Sequence, residues 1–203
     1  MKVAVFASGK GSSLVSLYEK SFIYGSYSIG CVVSDKEVCG ALEFAARKNI
    51  PVVNSFIRYR TDSVFLEQVL NLFSELNIGL IVLAGYLKLF PDFLLQQYPG
   101  RVINIHPALL PLFGGKGFYG SKVHDAVFLS GMKKSGATVH FVNDQYDEGK
   151  IIAQETCDIS AAKSPEEIAK LVLNTEHILL PKIVHAFAED RIKISNGRVT
   201  VIY

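Results

Sequence analysis

The chain has 203 residues, 49% of them apolar, which is enough for one domain with a well-buried core and short for two complete ones. Lys plus Arg number 21 against 19 Asp plus Glu; a net charge of +2 supplies no long-range field of the kind nucleic-acid binders use, so a phosphate site has to be local. Cys31, Cys39 and Cys157 form no C-x-x-C pair, which argues against a disulfide framework or structural zinc and reads as reduced, mostly buried thiols.

The apolar opening, residues 1–7, breaks at Ser8, Gly9 and Lys10, too early for a signal-peptide core. No segment approaches the roughly 20 apolar residues that span a bilayer, so a cytoplasmic protein without a membrane partner is expected. Short Val- and Ile-rich runs recur at 2–7, 29–33, 80–84 and 102–105, with stretches of helical period between them. Such continuously apolar runs suit strands covered on both faces, and the rhythm predicts an α/β fold with a doubly wound, mostly parallel sheet. Crossover helices are expected at 13–22, 40–49 and 62–77, the last with Phe65, Val69, Leu72, Phe73 and Leu76 on one face.

After Gly136 the pattern changes. Residues 137–142 and 151–159, joined by a polar turn, predict a hairpin and hence an antiparallel C-terminal extension. Ser164, Pro165, Glu166 and Glu167 combine an N-cap, a proline at the first helical position and a capping-box acid, opening a helix that runs to Ala188. Pro181 is expected to kink or divide it. Residues 191–203 read as two strands around Asn196-Gly197. One domain, 1–203, is expected, with a phosphate-binding half, 1–100, and a chemical half, 101–203.

Chemistry concentrates in a few places. Residues 8–13, Ser-Gly-Lys-Gly-Ser-Ser, follow the first strand and open the first helix, where free N–H groups and the helix dipole favour an anion. The third glycine of a dinucleotide fingerprint and the Walker A ending are both missing, so a single phosphomonoester fits best; the alternative is a turn that merely joins strand to helix. Asn104 and His106, two apart at a strand end, point to one side and can converge on one atom, although an isolated histidine is more often a buried structural one. Residues 143–149 carry Asp144, Asp147 and Glu148, either a solvated turn or the source of an acid that orients the histidine. Residues 113–120, with glycines among aromatics, read as a lid or a plain flexible loop. No H-E-x-x-H or comparable ligand cluster is present, and no metal is expected.

Taken in order, Ser8-Gly9-x-Gly11-Ser12, Leu83-Ala84-Gly85-Tyr86, Asn104-Ile105-His106-Pro107-Ala108-Leu109-Leu110-Pro111, and His140-Phe141-Val142 followed by Asp147 resemble the folate-dependent formyltransferases, in their glycinamide ribonucleotide branch. The resemblance runs almost end to end and implies a Rossmann-like formyltransferase fold. It implies transfer of a formyl group from 10-formyltetrahydrofolate, as co-substrate, to the amine of glycinamide ribonucleotide in purine synthesis. It also implies a catalytic trio of Asn104, His106 and Asp147, which stabilises the oxyanion and relays protons. The ribonucleotide phosphate is implied at Gly11, Ser12 and Ser13, its ribose at Glu176, and the folate at Tyr86, Leu87, Lys88, Leu89, Phe90, Asn104, Asn143 and Asp144. Lys10 and Ser13 stand where the family often has asparagines, and Lys88 where it has an arginine. Asp62 lies near the family's arginine for the folate tail, with Arg58 and Arg60 as nearby cations. Formyl-folate hydrolases, methionyl-tRNA formyltransferases and a non-enzymatic nucleotide-binding module are the rival readings.

Overall fold

The computed structural model describes residues 1–202; Tyr203, the end of the expected C-terminal hairpin, lies outside the described residues. The chain divides into two compact units, Met1–Lys88 and the residues from Leu89 onward.

In the first unit, β1 (Lys2–Phe6), α1 (Ser12–Tyr24), β2 (Ser28–Val33), α2 (Gly40–Arg47), a short β3 (Val52–Val53), α3 (Ser63–Glu75) and β4 (Ile78–Leu83) follow one another. The strands lie in the order β3-β2-β1-β4, all parallel. Val3, Ala4, Val5 and Phe6 are fully buried, as are Cys31, Val32 and Val33, which is why these strands read as unbroken apolar runs. Phe6 centres the core, with the rings of Phe56, Phe73 and Tyr86 set edge-on around it at 5.2, 6.3 and 5.4 Å. The α3 helix begins where Asp62 accepts a hydrogen bond from the Phe65 N–H, as an N-cap does. Between β3 and α3 a 3-10 turn, Phe56–Arg60, drives Phe56 into the core.

The second unit holds α4 (Asp92–Gln97), β5 (Val102–His106), α5 (Ser121–Leu129), β6 (Lys134–Phe141), β7 (Ile151–Asp158), α6 (Pro165–Ala188) and the hairpin β8 (Ile192–Ser195) and β9 (Arg198–Val201). The strands β5, β6 and β7 are antiparallel, so the extension expected from the sequence is present. Asn196 and Gly197 both have positive φ, the geometry that makes Asn-Gly a hairpin turn. Ser164 caps α6 by accepting from the Glu167 N–H. Pro181 does not divide the helix, which runs unbroken through 24 residues. Leu179, Leu180, Ile183 and Val184 around it are buried, and that packing offsets the roughly 3 kcal/mol a helical proline costs.

Cys31 is buried, whereas Cys39 and Cys157 are half-buried; all are free thiols, and burial pushes the Cys31 thiol up to about 12. Among the described residues, no helix is long and apolar enough to cross a membrane.

Candidate functional site

Asn104 and His106 lie at the carboxyl end of β5, on one side of the strand, and their antiparallel partners on β6 are His140 and Thr138. This register puts His140 across from Asn104, and the turn after β6 swings Asp147 back to meet both. Asp147 takes a positive φ of 58°, which an aspartate tolerates better than most residues. Gly149, just beyond, is required because a Cβ there would run into the Phe141 carbonyl.

The polar atoms form one network. The His106 Nε2 lies 2.8 Å from the Phe113 carbonyl oxygen, which can only accept, so this nitrogen carries a proton. Its Nδ1 lies 3.4 Å from Asp147 Oδ2. The Gly115 N–H donates to the same carboxylate oxygen at 3.0 Å. The Asn104 amide nitrogen donates to Asp147 Oδ1 at 3.3 Å and lies 3.1 Å from His140 Nε2. His140 Nδ1 is 2.7 Å from the Phe141 carbonyl and donates to it, which leaves Nε2 as the acceptor for Asn104. Both amide hydrogens of Asn104 are thereby committed within the network.

His106 and His140 are buried, with side chains 4% and 2% exposed, and Asp147 is 11% exposed. Burial lowers the His106 pKa; Asp147 and the Phe113 carbonyl push it up and His140 pushes it down, and the result lies below the ordinary histidine value. A carboxylate beside a histidine favours the charged ring. The carboxylate does act in that direction, but desolvation is the larger effect. Asp147 itself is raised by burial, yet the neighbouring His140 and His106 rings and the Gly115 N–H outweigh this and hold it below its usual range. His140 belongs to this site as closely as the expected trio does. Its sequence signal is its place on β6, two residues from Thr138 and so on the same face.

Phe113 ties the glycine-rich loop down. Its side chain packs against the cluster of Val127, Ile159, Ile168 and Val172, while its carbonyl meets His106. Beyond it Gly115, Gly117 and Gly120 all have positive φ. The buried His124 on α5 carries a lowered pKa from burial; Asp125 raises it and the nearby His106 lowers it further.

In the first unit, Gly11 is the N-cap of α1 in left-handed conformation, and no side chain caps the helix. The leading amides, at Ser12 and Ser13, have no intrahelical acceptor and are available to an anion. Ser12 is exposed, and Gly11 and Ser13 are half-buried. A Cβ on Gly11 would stand 2.8 Å from the Ala41 Cα, so glycine is needed for space as well as for φ.

The expected folate wall is split by burial. Tyr86 and Phe90 are core residues, 8% and 2% exposed, while Leu87, Lys88 and Leu89 reach the surface. Asn143 and Asp144 line a cavity of about 360 Å³ in the second unit, with Leu95, Tyr98, Val102 and Val142 among its other walls. Leu95 and Tyr98 carry no periodic signal in the sequence, because α4 is only 6 residues long. Glu176 is half-buried on α6, and desolvation pushes its carboxyl up to about 8. Asp62 is occupied as the α3 cap and in a 2.7 Å pair with Arg58, whose guanidinium lies 4.6 Å from the Phe65 ring centroid.

Residues 1–184 match the family described as formyl transferase. The chain is 43% identical to a phosphoribosylglycinamide formyltransferase, chloroplastic, from Arabidopsis thaliana, over 99% of this chain and 70% of that protein. It spans 62% and 64% of the corresponding Vigna unguiculata and Glycine max proteins. A phosphoribosylglycinamide formyltransferase of Bacillus subtilis is 35% identical, over 90% of this chain and 92% of that protein. The crystal structure of one from Anaplasma phagocytophilum superposes with a TM-score of 0.88 at 30% identity, covering 100% of this chain and 94% of that one. The chain belongs to the formyl transferase family, and within it to the phosphoribosylglycinamide formyltransferases, enzymes of purine biosynthesis.

Proposed function

We propose that the chain transfers the formyl group of 10-formyltetrahydrofolate to the amine of N1-(5-phosphoribosyl)glycinamide. The observation that carries this reading is the Asn104, His106, His140 and Asp147 network at the end of β5, capped by a glycine-rich loop. The acceptor amine, like an α-amino group, has a pKa near about 8, so a useful fraction is neutral near pH 7 and no strong base is required.

The amine nitrogen bonds to the formyl carbon and the carbonyl oxygen becomes an oxyanion. The bond from that carbon to the folate N10 then breaks, N10 takes up a proton and the former amine loses one. His106 donates to the oxyanion once the Phe113 carbonyl gives way. Burial keeps the ring neutral in the free protein, and the charge growing on the substrate oxygen favours its protonated form at the moment a donor is needed. Asp147, held ionised, stabilises the protonated His106 ring through Nδ1 and passes the amine proton onward. Asn104 offers its carbonyl oxygen to the amine, and donates to the oxyanion only by releasing Asp147 or His140.

The ribonucleotide phosphate is assigned to Gly11, Ser12 and Ser13, and its ribose hydroxyls to Glu176. The folate is assigned to the cavity bordered by Asn143 and Asp144, whose volume and mostly apolar walls suit a flat heteroaromatic ring, and to the exposed side chains of Leu87, Lys88 and Leu89. A cytoplasmic location belongs to the same proposal; the plant relatives are named chloroplastic, and cell fractionation decides between them.

Incubating the purified protein with both substrates and following folate absorbance and product mass tests acceptor, donor and reaction together. Formate released as fast as the ribonucleotide is formylated would favour a hydrolase instead.

A further inference from the structure

We infer that Asp35 is a positioning residue for both substrates, acting through the hydroxyl of Ser8. The inference rests on the assignment above of Gly11, Ser12 and Ser13 to the acceptor phosphate and of Leu87 and Lys88 to the donor.

Ser8 is the residue from which the phosphate loop departs. Its hydroxyl donates to Asp35 Oδ1 at 2.6 Å and accepts from the Leu87 N–H at 3.1 Å. Its own N–H donates to the Gly85 carbonyl at 3.0 Å. A carboxylate can only accept, so the Ser8 hydrogen is fixed on Asp35, and the hydroxyl lone pairs are turned to Leu87. The chain just past the ends of β1, β2 and β4 is therefore joined through one oxygen atom.

Asp35 has a side chain only 3% exposed, with the half-exposed Lys36 ammonium 3.6 Å from its other oxygen. A buried carboxylate is costly unless hydrogen-bonded, and the bond to Ser8 is a short charge-assisted one. The far side of the loop cannot yield. The Ala41 N–H donates to the Gly9 carbonyl at 3.1 Å, and Gly40 lies so close that a Cβ would come within 2.8 Å of the Lys10 carbonyl oxygen. With α2 blocking one side, the Asp35 and Ser8 pair sets the position of the loop from the other. The same hydroxyl holds the donor segment through Leu87. Leu87 is 48% exposed, so losing this bond releases the segment to water and leaves the core intact.

The test is steady-state kinetics on Ser8→Ala, Asp35→Ala, Asp35→Asn and the double alanine variant, with the Tm of each as a check on folding. The single alanine variants are expected to raise KM for the ribonucleotide and for the folate roughly tenfold, as loss of one charge-assisted hydrogen bond does. The kcat value stays within about threefold, because neither residue touches the reacting atoms. Asp35→Asn keeps an oxygen for the Ser8 hydroxyl and restores both KM values. The double variant is no worse than either single one, as for two ends of one interaction. A change confined to one substrate or absent from both, additive singles, or an asparagine variant as poor as alanine would each overturn the inference. If Asp35→Ala does not fold, Ser8→Ala carries the comparison. Wild-type protein that turns over neither substrate would sink the functional reading alone. The inference is then read from the affinity of Ser8→Ala for ribose 5-phosphate and for tetrahydrofolate: loss of both supports it, and anything less overturns it.

Discussion

The Phe113 carbonyl oxygen sits 2.8 Å from the Nε2 of His106, so the loop that follows the candidate imidazole occupies its outward N–H. Donation to a substrate oxygen and this loop contact exclude one another. The loop and the chemistry are therefore linked through a single hydrogen bond.

The first prediction concerns His106 itself. His106→Ala should leave both ligands bound and lower kcat by roughly a hundredfold or more, as for a group that acts mainly in the transition state. Binding titrations alongside turnover check it, and near wild-type turnover would remove His106 from the mechanism.

Asp147→Asn should lower the His106 pKa further, since the carboxylate is what opposes the burial effect. NMR titration of the ring reads this directly. A histidine whose folded pKa lies below its unfolded value of about 6.5 binds fewer protons folded, so its site loses stability as the pH falls below about 6.5. Asp147, with a depressed folded pKa, contributes stability above its unfolded value of about 3.9 that is lost as the pH falls through the folded value. Denaturation at pH 7 and pH 5.5 should show the wild type losing more stability on acidification than His106→Ala; an equal loss would contradict the assignment.

The loop should divide in hydrogen exchange. The Gly115 amide, held by Asp147, and the Phe118 amide, held by the Gly115 carbonyl, are expected to be protected in the free protein, while the amides of Lys116, Gly117, Tyr119 and Gly120 exchange quickly until substrate is present. Exchange rates at Lys116, Gly117, Tyr119 and Gly120 that are the same with and without both ligands would demote the stretch to a passive loop.

Glu176 offers a test in the alkaline range. Its carboxyl ionises near about 8 in the folded chain, so KM for the ribonucleotide should fall as the pH rises through that value and the carboxylate becomes free to accept from both ribose hydroxyls. Glu176→Gln should abolish this inflection. It should also remove a stability loss that grows from about pH 4.3 to 8, because the folded state binds the extra proton there.

At the phosphate loop, Gly11→Val meets Ala41 and a left-handed φ at once, and should raise KM for the ribonucleotide strongly with some loss of Tm. Ser12→Asp is the gentler probe, because Ser12 is exposed and a carboxylate at the helix start competes with the phosphate. Unchanged ribonucleotide affinity in Ser12→Asp would put the phosphate elsewhere.

The local features were legible in the sequence. Periodicity marked β1, β2, β4 and β5 as strands buried on both faces, Ser164 and Pro165 marked the start of α6, and Asn196-Gly197 marked the hairpin turn. These rest on backbone preferences and on hydrophobic repeats that neighbouring residues reveal. The two residues of β3 and the 6 of α4 are too short to show a period, and no pattern announced α5. Tertiary structure decided what depends on partners far along the chain. The β5 and β6 register made His140 a member of the site, and packing turned Tyr86 and Phe90 inward and carried α6 through Pro181. The Asp35 and Ser8 bond depends on the parallel pairing of β1 with β2. Burial set the His106 pKa against the pull of its own carboxylate neighbour, because desolvation depends on every atom packed around the ring and sequence neighbours supply few of them.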